Sequence, residues 1–313
     1  MGRMKFQSEV MDALRKGIGQ DDTVIKWIQD ILDVDYSTAR RKMIGETKLS
    51  LEQFGKIIYN YPHILELAFK SILRPNTFIT QYSSFRSRQE LEAYLKGIIK
   101  RFETALKHNS VLKYVARDLP LFFFLADRRL AEFKISLWTN QLKGGGVQRL
   151  NIETYTLCWE VFRLYQHLSS VEIWNRNVLE NQFQMIEWYC SLNSIDQYYR
   201  RDIYEIMEAK LLDYKDWSIK GQKSNGGKID LLFTDFLTMN NGGMLESPNL
   251  RVLMTALSNA NFVTFRDAGL CAHFNDEFEL HQSYATSVTC CNELERERIF
   301  NGMLDYLRER RGD

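Results

Sequence analysis

Apolar residues at helical spacing open this chain and recur along most of it. Phe6, Val10 and Leu14 form an i, i+4 stripe, which predicts a first helix over residues 4–17, closed by Gly17 and Gly19. Val24, Ile25, Ile28, Ile31 and Leu32 repeat the pattern, which stops at the turn Asp33-Val34-Asp35. Asp35 can then cap a third helix, because its short carboxylate accepts from the free backbone N–H groups of the first turn. In that helix Ala39 and Met43 make one narrow apolar stripe, and Gly45 ends it. Leu51, Phe54, Ile57 and Ile58 mark a fourth helix stopped by Pro62. Ile64, Leu65, Ala68 and Ile72 mark a fifth over 63–73, and Arg74-Pro75-Asn76 is the expected domain boundary.

Beyond it the pattern stays helical for a long way. Leu91, Tyr94, Leu95, Ile98, Ile99, Phe102 and Leu106 share one face of a helix over 88–110, and Phe122, Phe123 and Phe124 read as a core plug. Gly144-Gly145-Gly146 breaks the chain, a candidate subdivision near 144–150. It lacks the Lys-Ser/Thr of a phosphate loop. Helices are predicted over 155–168, 178–190 and 203–214. The period then changes: KIDLLFTDFL is rich in β-forming residues, and Met239-Asn240-Asn241-Gly242-Gly243 predicts a type I′ hairpin returning through Met244 to Glu246. Arg251 to Thr255 offers a third strand, and Asn292 to Arg310 a last helix with Leu294, Ile299, Phe300, Met303, Leu304 and Leu307 inward. No fixed-period repeat is visible. The expected fold class is mainly α: an N-terminal five-helix domain, residues 1–74, and a larger helical domain, residues 76–313, with a small β-hairpin (α+β) near the C-terminus.

Composition adds three points. Hydrophobic content of 45% with 13% aromatics supports folded domains rather than disorder. The net charge of +1 hides an asymmetry: residues 1–150 hold 25 Lys/Arg against 16 Asp/Glu, and residues 151–313 hold 16 against 24. A basic first half suits contact with a polyanion. The five cysteines, with no Cys-x-x-Cys pair, suit a reducing compartment, and no apolar signal core or membrane-length run is present, so a cytoplasmic location is expected.

The second and third helices are short, joined tightly, and the latter is poor in apolar residues but carries Tyr36, Ser37, Thr38, Arg40, Arg41 and Lys42. That is a helix-turn-helix arrangement. Through Ile28, Leu32, Val34, Thr38, Ala39, Arg41, Gly45 and Ser50-Leu51-Glu52, the first 72 residues or so resemble the Cro and phage-repressor (XRE-like) helix-turn-helix family. Three positions differ from its pattern: Gln29 replaces a small Ala, Asp33 the turn Gly, and Asp35 the usual Ser or Thr. Asp tolerates left-handed backbone, so Asp33 can serve the turn. The resemblance implies that Tyr36, Ser37, Arg40 and Arg41 reach base edges in the major groove, with Thr38 beside them, and that Lys42 and Lys48 contact phosphates, which position without specifying. The C-terminal part is similar to that of helix-turn-helix regulators of Bacteroidetes, in its DLPLF…LAEFKISLW and VLENQFQMIEWY segments. That similarity implies a regulator and no activity.

Rival chemistries have weaker signals. Cys271-x-His273 with His281 and Cys290-Cys291 pairs ligands at one end only, unlike zinc sites. No nucleophile elbow is present. Glu293, Glu295 and Glu297, interleaved with Arg296 and Arg298, read as a solvated helical face. The expectation is therefore no enzyme, no cofactor and no metal. The chain reads as a sequence-specific DNA-binding transcriptional regulator of double-stranded DNA, with a C-terminal domain that forms a homodimer through faces such as Leu304/Leu307 or senses a small-molecule or protein effector. The alternative is a protein-interaction adaptor that keeps the helix-turn-helix fold without using DNA.

Overall fold

The computed structural model describes residues 5–61, 64, 81–82, 87–139, 146–258, 261–289 and 292–312. The chain divides into two compact units, residues 1–79 and 80–313. In the first, α1 (Lys5–Ile18), α2 (Asp21–Leu32), α3 (Tyr36–Met43) and α4 (Leu51–Asn60) form where the stripes predicted helices, although Leu51, expected on the apolar face of α4, is 87% exposed. Val10, Leu14, Val24, Ile28, Ala39 and Ile57 are buried together in one small core. The predicted fifth helix over 63–73 lies outside the described residues apart from Ile64.

Local chemistry sets the ends of these helices. Asp21 and Asp22 stand in the first turn of α2, where the helix dipole favours negative charge. Asp33 closes α2 in the left-handed region at φ 52°, as its short polar side chain permits. Ser50 and Gln53 form a reciprocal capping box that starts α4. Gly45, at φ +86°, provides the left-handed step after α3.

The second unit departs from the expected helical domain with a hairpin. It is mostly helical by residue, but its helices cover a mixed sheet of eight strands among the described residues. The strands are β1 (Gln81–Tyr82), β2 (Val111–Ala116), β3 (Ser169–Asn175), β4 (Ile229–Thr234), β5 (Gly242–Ser247), β6 (Leu250–Ser258), β7 (Asn261–Phe265) and β8 (Thr286–Ser287), in the order β1-β7-β6-β5-β2-β3-β4-β8. β2, β3 and β4 are parallel; the other pairings are antiparallel. After α5 (Arg88–Lys107), the β2–β3 crossover carries α6 (Leu121–Leu125), α7 (Arg128–Trp138) and α8 (Ile152–His167). The β3–β4 crossover carries α9 (Glu180–Ser191) and α10 (Gln197–Lys220). The chain ends with α11 (Ala268–Tyr284) and α12 (Glu293–Arg311).

Alternation along the central strands builds a layer on each face. Ala116, Trp174, Leu231 and Phe233 join the main core with α5–α8, α10 and α12, while Val115, Ile173 and Leu232 pack with Phe274 and Phe278 of α11 on the other face. Phe122, Phe123 and Phe124 are core residues, as expected. The main core contains residues from both sides of the glycine stretch at 144–146, Phe133 and Phe162 among them, so the subdivision expected there does not occur. Leu304 and Leu307 are spent in this same core at 3% and 0% exposure, so they offer no face for self-association.

The predicted Asn-Gly hairpin is also absent. β4 pairs with β3, and β5 lies beside β2, with β2 and β3 between it and β4. Gly242 and Gly243 are strand residues opposite Val115 and Tyr114, and a Cβ on Gly243 would lie 2.8 Å from Tyr114 Cδ2. The glycine is needed there for close approach to an aromatic ring rather than for a turn. The true tight hairpin joins β5 to β6 through Pro248-Asn249.

Charge enters this core. Glu172 on β3 is fully buried and accepts from Tyr165 Oη at 2.5 Å, Ser170 Oγ at 2.8 Å and Trp174 Nε1 at 3.1 Å. Lys223 Nζ lies 3.8 Å from Glu172, donates to the carbonyls of Tyr165 and Leu168, and sits 3.7 Å from the centre of the Tyr165 ring. Burial pushes that ammonium down from its ordinary value. Nor is the start of α12 a purely solvated face. Glu295 ties Arg176 to Arg298, Glu297 meets Lys215 at 2.7 Å, and Arg296 is buried with Nη1 donating to Val288 O.

Candidate nucleic-acid interface

α3 separates its residues as a recognition helix would need. Ala39 and Met43 are buried against α2, at 0% and 5% exposure, while Tyr36, Ser37, Arg40 and Arg41 are exposed and Thr38 is half-buried. Lys48 is exposed on the loop that follows. Tyr36 Oη donates to Asp22 at 3.3 Å, and Arg41 Nε reaches the carbonyl of Ser37 at 3.4 Å. Among the described residues no ion pair engages Arg40, Arg41 or Lys48.

The capping residue determines what the first turn can offer. Asp35 Oδ1 accepts from the Thr38 backbone N–H at 2.9 Å and from Ser37 Oγ at 2.5 Å, and Oδ2 accepts from Thr38 Oγ1 at 2.7 Å. These bonds hold the carboxyl well below the usual carboxylate range, with the Ser37 hydroxyl contributing most. Both hydroxyls have donated their only hydrogen, so Ser37 and Thr38 face a ligand as acceptors.

Lys42 does not stand where the family pattern implies. It is 7% exposed, and its Nζ turns back to donate to Lys48 O at 3.0 Å. Its position, three residues after the buried Ala39, puts it on the inward side of a short helix. It fastens the loop after α3 and is removed from the candidate phosphate contacts. Gln7 does the same from α1: its Nε2 donates to the carbonyls of Lys42 and Thr47, both at 2.8 Å, and its Oε1 accepts from Leu49 N. No sequence signal identified this clamp.

Charge follows a different boundary from the one drawn at residue 150. Residues 1–79 contain 12 Lys/Arg against 10 Asp/Glu, a net of +2, whereas the basic excess of the first half sits in residues 80–150, inside the second unit. The case for a polyanion therefore rests on the local distribution along α3, not on the unit as a whole.

Elsewhere, Cys271 and His281 are both buried on α11, with His281 Nε2 2.9 Å from Thr238 Oγ1, while His273 faces solvent. Cys290 and Cys291 lie outside the described residues. Among the described residues no His, Cys, Asp and Glu side chains group as a metal site, and no helix is long and apolar enough to cross a membrane. Comparison with protein-family models, curated proteins and solved structures gives no match to this chain.

Proposed function

We propose that this chain is a sequence-specific DNA-binding regulator in which α3 enters the major groove. The observation that supports this reading is the outward pair Arg40 and Arg41, exposed and outside any ion pair among the described residues, on a short capped helix whose opposite side is fixed by Ala39 and Met43. A guanidinium presents a planar donor fork that matches the acceptor edge of guanine, so two adjacent exposed arginines suit base reading, with Arg41 held to the Ser37 carbonyl only by a long hydrogen bond of 3.4 Å. Lys48 suits a phosphate. One small helix-turn-helix buries little surface, so the working form is a homodimer on half-sites about one helical turn apart. The test is selection of bound fragments from random double-stranded DNA, followed by titration of the recovered site against salt. A recovered consensus with affinity falling steeply in salt supports the reading; an unenriched pool overturns it.

The engagement of Ser37 and Thr38 by Asp35, together with the small net charge of residues 1–79, favours a second reading as a protein-interaction adaptor. In that case α3 would bind an acidic protein surface, and the intact chain would bind no DNA site above background.

A further inference from the structure

A cleft of about 550 Å³ opens in the second unit beyond the carboxyl ends of β2 and β3. In open α/β sheets this is the side on which ligands collect, because the connections leaving parallel strands diverge there. The cleft lies at β2, the strand where the sheet passes from parallel pairing with β3 to antiparallel pairing with β5. Met185 and Trp188 of α9 and Trp138 of α7 form apolar parts of its wall.

Two polar side chains in the lining have no partner that accounts for them. Lys134 is 8% exposed, and among the described residues its Nζ makes no hydrogen bond or ion pair; the Phe124 ring lies 4.4 Å away. Gln182 is 1% exposed, and among the described residues its Oε1 meets no hydrogen-bond donor. A desolvated ammonium with no directly paired acid is costly to keep, so a core lysine whose charge only Asp118 favours, and from beyond ion-pair distance, stands out beside Lys223, which has two carbonyls and Glu172. The neighbouring acid is committed elsewhere: Asp118 accepts from Asn181 Nδ2 at 2.6 Å and Asn241 Nδ2 at 3.4 Å. Asn241 Oδ1 in turn accepts from the backbone N–H groups of Arg117 and Asp118 at 2.7 and 3.0 Å, which fixes the rim. Arg117 is exposed at that rim and adds a second cation.

We propose that this cleft binds a small organic anion, a carboxylate or sulfonate on an apolar or aromatic body, with Lys134 meeting its charge and the wall of Trp138, Met185 and Trp188 its body. An apolar pocket with a few convergent polar groups is the usual form of a small-molecule site. The inference goes beyond DNA binding and stands apart from it, since the cleft belongs to the second unit alone.

The test uses the intact chain and two fluorescent probes with the same apolar body: the anion anilinonaphthalene sulfonate and its uncharged relative phenylnaphthylamine. The parent is expected to bind the anionic probe at one site, and Lys134→Met to weaken it at least about tenfold while binding of the uncharged probe stays the same. Lys134→Arg should restore much of the loss. Lys134→Met should also melt higher than the parent, since it removes an unpaired buried charge, and this keeps a folding defect from imitating the result. Equal binding of the anionic probe by parent and Lys134→Met, no stoichiometric binding by the parent, or a lower melting point for Lys134→Met would overturn the proposal. No DNA enters this measurement, so its failure is separate from failure of the regulator reading.

Discussion

Arg40 and Lys134 are both cations without an ion pair among the described residues, yet Arg40 stands in solvent on α3 and Lys134 is nine-tenths enclosed beside a cleft. An exposed charge costs folding almost nothing, so its presence is compatible with any purpose, including none. A buried one costs several kcal/mol unless something compensates it, so its persistence needs an explanation from within the fold. The first unit keeps most of its charge on the surface and uses it for caps, as Asp35 does. The second carries charge into its core, where Glu172 and Lys223 are fully enclosed and hold β3 to the loop after α10.

The largest effect expected from this contrast is at Glu172. Glu172→Ala leaves Lys223 facing no acid and strips three donors of their acceptor, which should cost about 3–5 kcal/mol. Glu172→Gln combined with Lys223→Met should cost clearly less, because no net charge is stranded. Urea unfolding of the intact chain measures both. A parental midpoint for Glu172→Ala would mean that the buried network contributes little.

The separation of the two units gives the next test. The core of the first unit shares no residue with the cores of the second, so residues 1–79 should fold alone as a monomer. If the second unit pairs two reading heads, that fragment should bind a selected DNA site about 10²–10⁴-fold more weakly than the intact chain. Sedimentation and titration of both decide it. Full affinity in the fragment would remove the dimeric arrangement.

Within α3 the same comparison can be made between neighbours. Arg40→Ala or Arg41→Ala should each cost about 1–3 kcal/mol of specific binding and relax preference at one base pair. Lys42→Ala should instead lower the melting point of the first unit and leave DNA affinity near the parent's, because its ammonium holds Lys48 O rather than facing outward. Lys48→Ala should weaken all sequences alike and reduce the salt slope by about one. If Lys42→Ala behaved like Arg41→Ala, the inward placement of Lys42 would be wrong.

How much could be seen in the sequence differed between the units for the same reason. Helix stripes such as Phe6/Val10/Leu14 and Ile299/Met303/Leu307 are written in local spacing, and those helices form where the spacing put them. The strand SSVEIWN was missed because its buried positions include Ser170 and Glu172, whose burial depends on partners that local pattern does not reveal. VLKYVA was missed because it is short and follows a long helix without a turn signal beyond Asn109. Asn240-Asn241-Gly242-Gly243 misled because turn-forming residues were serving other needs: an amide that caps the Arg117–Asp118 backbone and a glycine that admits Tyr114. On α3 the residue types were legible, but only the fold separates Lys42 from Arg41. The cleft was not legible: Asp118, Lys134 and Gln182 all lie in the segments that carry the second resemblance, but that resemblance implied no ligand and local spacing does not bring the three together.

The smallest expected effect sharpens the contrast most directly, because it reads the buried charge without any ligand. Burial lowers the Lys134 ammonium to about 8, while a solvated lysine titrates near 10.4. Below pH 8 the proton is bound in folded and unfolded chains alike, and stability carries no pH dependence from this group. Between pH 8 and 10 the folded chain has released a proton that the unfolded chain still holds, so the contribution of Lys134 to stability rises with pH. Arg117, Asp118 and Tyr114 also line the cleft, and they remain in Lys134→Met, as does Lys223, so a comparison of the two proteins isolates position 134. The advantage of Lys134→Met over the parent should therefore be nearly constant from pH 6 to 7.5 and shrink by about 2 kcal/mol by pH 10. Urea unfolding of both proteins across that range checks it. A constant difference throughout would place the Lys134 ammonium in water, and the contrast with Arg40 would disappear.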